Sequence, residues 1–148
     1  MKAVVLTKPT KAEDIVLSEA EMPSVKPGWV LVKVKAFGLN HSEQILREFE
    51  IENDYINKPI IPGIECVGEI TDPSDSGLEI GQKVAALMGG MGRSFNGSYA
   101  EYTLLPTHHV SPWRVSCHGL KWERFPKPTS PHGARCSNVY GSRPKTSS

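Results

Sequence analysis

A chain of 148 residues with a formal net charge of +1 can hold one domain with a sizeable core, but a two-domain enzyme ordinarily needs about twice that length. The balance conceals an asymmetry: residues 1–110 carry 10 Lys/Arg against 15 Asp/Glu and residues 111–148 carry 7 against 1, so the two parts stand at −5 and +6. Cys66, Cys117 and Cys136 lie far apart with no CxxC pair, and the apolar runs are too short for a signal peptide or for the roughly 20 residues of a membrane span, so disulfide framework, zinc ribbon and membrane classes fall away and a cytoplasmic protein is expected.

In chain order, residues 1–110 read as short strands punctuated by Gly and Pro. "KAVVLT" and "DIVLSEAE" are β-rich, and "KPGWVLVKVKAFGLN" opens on a Pro-Gly turn before Val30, Val32 and Val34 alternate with Leu31, Lys33 and Lys35, the pattern of a half-buried strand. "SEQILREFE" predicts a short helix from about Ser42 to Glu48, with Ser42 as its cap. "IECVGEIT", "KVAALM" and "SYAEYTLLP" predict three more strands, with Gly63, Gly68, Gly81, Gly89, Gly90, Gly92 and Gly97 at corners. Many short strands with one or two short helices predict a mainly β fold, a partly open barrel.

Some groupings invite a chemical reading and do not sustain it. "MGGMGRS" lacks the Lys-Ser/Thr ending of a phosphate loop and reads as a flexible barrel turn. His108, His109, Cys117, His118, His132 and Cys136 match no metal-ligand spacing. Tyr99 and Tyr102 on a predicted strand fit barrel packing better than acid catalysis. Residues 111–148, with five Pro, seven Ser and neither a 2.0 nor a 3.6 period, predict a low-order basic tail. A barrel module whose tail, with Trp113 and Trp122, binds nucleic acid or an acidic partner is the alternative class; the basic charges are dispersed among prolines and not set in a stripe, which weighs against nucleic acid.

The order "KAVVLTKP", "KPGWVLVKVKAFGLNHSE", "PIIPGIECVGEI", "GLEIGQKVAALMGG" and "GSYAEYTLLP" resembles the N-terminal chaperonin-10-like (GroES-like) catalytic domain of the medium-chain dehydrogenase/reductase superfamily. The resemblance implies an oxidoreductase lineage. Zinc-dependent members place a Cys-His pair at the segment matching Asn40-His41 and a His-Glu pair at Ile64-Glu65. Here Asn40 and Ile64 stand where a thiolate and an imidazole are needed, so no zinc is expected.

The resemblance therefore points to the zinc-independent branch, similar to quinone oxidoreductases, which move hydride from NADPH to a quinone, enone or other carbonyl compound. In that reading Asn40, His41 and Ser42 are the catalytic candidates, with Asn40 and Ser42 offering hydrogen bonds to the nicotinamide ribose or substrate oxygen and His41 a polar wall. Equally, Asn40 closes a turn, Ser42 caps a helix and His41 lies on the surface. The family binds its dinucleotide in a Rossmann domain after the barrel; no such unit follows residue 110, so the isolated chain is expected to bind NADPH poorly, to be inactive, and to self-associate through the uncovered domain face.

The composition break falls where family members continue toward that domain. Back-translation with free third bases allows a shifted frame over Glu123–Lys145 resembling the segment that leads into it, so the tail is expected to be read out of frame from about Pro112. Sequencing the gene and transcript from the Val110 codon to the Trp122 codon and beyond is expected to show an open shifted frame encoding a dinucleotide-binding domain. Stop codons in that frame would contradict it.

Overall fold

The computed structural model describes residues 1–113. The expectations for the tail beyond Trp113, including its altered frame, lie outside the described residues. Among the described residues there are seven strands: β1 (Lys2–Val4), β2 (Leu17–Glu19), β3 (Trp29–Ala36), β4 (Glu65–Asp72), β5 (Lys83–Leu87), β6 (Tyr102–Pro106) and β7 (Val110–Pro112). One α-helix, α1 (His41–Glu48), and three single-turn 3-10 segments complete the order of the described residues. β1 and β2 form a two-stranded sheet, and the other five form one antiparallel sheet in the order β6-β3-β4-β5-β7, which curls into the expected half-barrel.

The alternation read in β3 is realised in part: Val30 and Val32 are fully buried and Lys33 and Lys35 exposed, but Leu31, expected on the outer face, is buried as well and Val34 is only half-buried. β4 presents Cys66 and Ile70 to the same core, where they meet Val84, Ala86, Met91, Leu105 and Val110. Each valine, leucine, isoleucine or methionine side chain removed from water contributes about 1.5–3 kcal/mol, so this cluster holds the curved sheet. A second cluster of Leu6, Leu46, Ile51, Ile56 and Ile60 seats the helix, which reaches it through Leu46.

Three element boundaries depart from the sequence reading. The helix begins one residue early at His41, capped by Asn40 and not by Ser42, because a carboxylate three residues on, Glu43, reaches back to the Asn40 backbone. "SYAEYTLLP" becomes a ladder strand only from Tyr102; the Tyr99 carbonyl accepts from Val4 N–H at 2.8 Å, and Ala100 bridges to Ala3 instead. Ser111 and Pro112, assigned to the tail on composition, belong to β7, which pairs with β5.

Gly68 is the fourth difference, since it lies inside β4 opposite Val34 and Val84 and not at a corner. A Cβ there would press on the Lys33 carbonyl oxygen and sit 2.7 Å from Val32 Cγ1. Backbone and a fully packed valine cannot both yield, so the β3–β4 register needs hydrogen at this position. Gly68→Ala is expected to cost about 1–3 kcal/mol in urea unfolding; an unchanged midpoint would show that the strands part freely here.

Candidate functional site

The turn between β3 and α1 brings the two segments of interest together. Asn40, in extended backbone (φ −112, ψ 151), is half-buried, and its amide nitrogen donates to Glu65 Oε1 at 3.4 Å and to Glu43 Oε1 at 3.5 Å. Glu65 opens β4, 25 residues later. Gly38 makes the approach possible, because a Cβ on it would fall on Glu65 Oε1. Ile64, beside Glu65, is buried and contributes only its backbone N–H, which donates to Glu43 Oε1 at 3.1 Å.

Glu43 is the organising group. It is 4% exposed and accepts the Asn40 backbone N–H at 2.7 Å, the Ile64 N–H and the Asn40 amide. A buried carboxylate is tolerated only with such donors. One turn on, buried Arg47 donates to the Thr10 carbonyl at 2.6 Å and to Glu48 at 2.8 Å. The spacing Asn40-x-x-Glu43 is itself a capping-box signal, legible in the sequence and passed over there.

His41 is exposed on the first turn, with Nδ1 3.2 Å from Gln44 Oε1. Ser42 Oγ accepts from Arg93 Nη2 at 2.9 Å, and Arg93 also grips Glu50 through Nε at 2.9 Å. The glycine-rich turn is thus tied to the helix by Arg93 and to the core by Met91, 2% exposed. Asn40, His41 and Ser42 are neighbours along the helix start, but only Asn40 reaches Glu65. Ser42 keeps its hydroxyl proton available for an acceptor while Arg93 occupies a lone pair.

Glu65 also lines a cleft of about 510 Å³ with Phe37, Gly38, Cys66, Leu87, His108 and His109 among its walls. The zinc donor set is not met by these residues: where two strong ligands are required there are an amide whose nitrogen already serves Glu65 and an isoleucine without a donor. A dinucleotide's pyrophosphate finds no match either, since every named strand pair among the described residues is antiparallel, and a βαβ phosphate turn needs parallel strands. What the site offers is hydrogen bonding and a fixed negative charge.

Burial, then the Glu65 charge, pushes the Cys66 thiol up to about 12, so it is an inert core group at neutral pH. Tyr99 is pushed up to about 12 by burial first and Glu43 second, with Arg47 pulling the other way. Both groups keep in the fold a proton that the unfolded chain releases near 9.0 and 10.0. Their contribution is therefore complete below about pH 9 and lost as the pH rises toward 12. The urea midpoint is expected to fall between pH 9 and 11 more steeply for the parent chain than for a Cys66→Ala/Tyr99→Phe variant; parallel profiles would refute the linkage.

Residues 26–115 match the alcohol dehydrogenase GroES-like domain family. The chain is 34% identical over 112 residues to the mouse (Mus musculus) synaptic vesicle membrane protein VAT-1 homolog-like, covering 74% of this chain and 25% of that protein. Among solved structures it resembles the human VAT-1 homolog-like protein (TM-score 0.66, 28% identity, 80% of this chain and 37% of that one). It also resembles a thermostable alcohol dehydrogenase from Pyrobaculum aerophilum (TM-score 0.68, 26% identity, 78% of this chain and 41% of that one). The chain thus spans about a quarter of the length of the mouse relative. With residues 26–115 matched, well over half of its length, the chain belongs to the alcohol dehydrogenase GroES-like domain family of the medium-chain dehydrogenase/reductase superfamily.

Proposed function

We propose that this barrel is the substrate-side domain of a zinc-independent, NADPH-dependent oxidoreductase that reduces a quinone, enone or other carbonyl compound. The observation that carries the reading is the Asn40–Glu65 hydrogen bond beside buried Ile64, a hydrogen-bonding junction where zinc-dependent relatives need strong metal ligands. Without a Lewis acid, polarisation of a carbonyl falls to hydrogen-bond donors fixed in advance. Both Asn40 amide hydrogens are committed to Glu43 and Glu65, so Asn40 offers its carbonyl oxygen to a ribose hydroxyl, while Ser42 has a proton to donate and exposed His41 forms the polar rim.

A bound nicotinamide cofactor supplies the hydride in this chemistry, and this chain's part is to orient the ribose or the substrate oxygen through Asn40 and Ser42. The 148-residue chain alone is inactive in this reading, because the described strands offer no pyrophosphate cradle. Leu39 at 80% exposed, Leu17 at 72% and Val16 at 67% are apolar groups that another domain or a second copy would cover. Among the described residues no helix is long and apolar enough to cross a membrane, in keeping with a cytoplasmic enzyme as the proposed setting.

Elemental analysis of chain purified from zinc-supplemented medium tests the carrying observation. It is expected to find far less than one zinc per chain, and one zinc per chain would overturn the metal-free reading. Calorimetric titration with NADPH is expected to give binding much weaker than micromolar; micromolar affinity would show that the chain holds a cofactor site of its own.

A further inference from the structure

His109 has no role in the site described so far, yet its surroundings fix it more tightly than a surface histidine requires. It closes the 3-10 turn Thr107–His109 between β6 and β7. Its ring stacks on Phe95 (centroids 6.0 Å apart, planes 26° apart) and meets His108 edge-on at 4.3 Å. On another side it lies against Gly89, where a Cβ would come within 2.6 Å of Nε2 and 2.7 Å of Nδ1. Gly89 has a φ of +67, so both its backbone and its missing side chain suit this contact.

The two ring nitrogens differ. Nδ1 is sealed from solvent and has no hydrogen-bond partner among the described residues; Nε2 is not among those sealed, unpartnered atoms, and the ring lines the 510 Å³ cleft. Orphaned buried N–H donors are rarer in proteins than under-satisfied acceptors. A proton on Nδ1 would be such a donor, whereas a bare lone pair there is the milder defect. The proton therefore belongs on Nε2, the nitrogen that can be served from the cleft.

The rest of the cleft narrows what could accept it. Ala36, Phe37, Val67, Ala85 and Leu87 supply apolar wall, and the volume is that of a small-molecule site. Glu65, whose charge already disfavours thiolate at Cys66, makes the cleft hostile to a carboxylate or phosphate. We infer that His109 is held as the Nε2–H tautomer and donates that hydrogen from the cleft wall to the oxygen of an uncharged carbonyl ligand, such as a quinone. The ligand class rests on the metal-free reductase reading; the assignment of His109 rests on the ring's own surroundings.

The test uses the full 148-residue chain, labelled with nitrogen-15, and duroquinone, whose fully substituted ring gives thiols no free position to add to. Long-range proton–nitrogen correlations are expected to show His109 protonated on Nε2, with that nitrogen shifting as duroquinone is added. His109→Phe, which keeps a ring against Gly89 and Phe95, is expected to weaken duroquinone binding by about fivefold, the value of one hydrogen bond. His108→Phe is expected to leave it within error, and the strand amide spectrum of each variant reports that the barrel is intact. A proton on Nδ1, or equal affinity in parent and His109→Phe, overturns the inference. Absence of duroquinone binding with Nε2 protonated overturns the carbonyl ligand and leaves the metal-free junction standing, whereas one zinc per chain would remove that junction and leave the tautomer untouched.

Discussion

A single buried carboxylate holds the functional end of this barrel together. Glu43 sits on α1, and the groups it satisfies belong to two segments: the Asn40 turn before the helix and the Ile64 backbone before β4. Leaving those N–H groups without an acceptor would cost about 1–3 kcal/mol each, so helix and strand entry are bound to one geometry. Asn40 then has little freedom except to face Glu65, and Glu65 can come close only because residue 38 is glycine. The Asn40–Glu65 junction inherits its position from that arrangement.

The electrostatics follow. Two carboxylates, Glu43 and Glu65, flank Asn40, while the nearby cations are committed elsewhere: Arg47 to Thr10 and Glu48, Arg93 to Glu50 and Ser42. The site is therefore negative, a setting that disfavours an acidic ligand. The same negative charge helps keep Cys66 a thiol. Around this polar centre the barrel leaves Val16, Leu17 and Leu39 uncovered, which fits a domain whose full function requires a neighbouring surface.

Much of this was legible in the residues. Period-2 alternation placed Val30, Val32 and their strand, the Gly and Pro punctuation separated the elements, and the ordered segments identified the family that the domain match bears out. Other features depend on contacts between distant residues. Ser42 looked like the cap because it precedes good helix formers, but Glu43 gives Asn40 the reciprocal bond that decides the start. Gly68 looked like a corner because glycine usually marks one; only the approach of Lys33 and Val32 shows that a strand interior needs it. His109 could be weighed from sequence only as a metal ligand, since the sealed nitrogen that distinguishes it is a product of packing.

The central claim is that Asn40, Ile64 and Glu65 form a hydrogen-bonded junction and not a metal centre, and cobalt(II) titration followed by visible absorption addresses it most directly. Tetrahedral cobalt bound at such a site gives intense d–d bands that report both stoichiometry and ligand type. The account expects no saturable band that depends on Glu65. A band saturating at one cobalt per chain and lost in Glu65→Gln would contradict it.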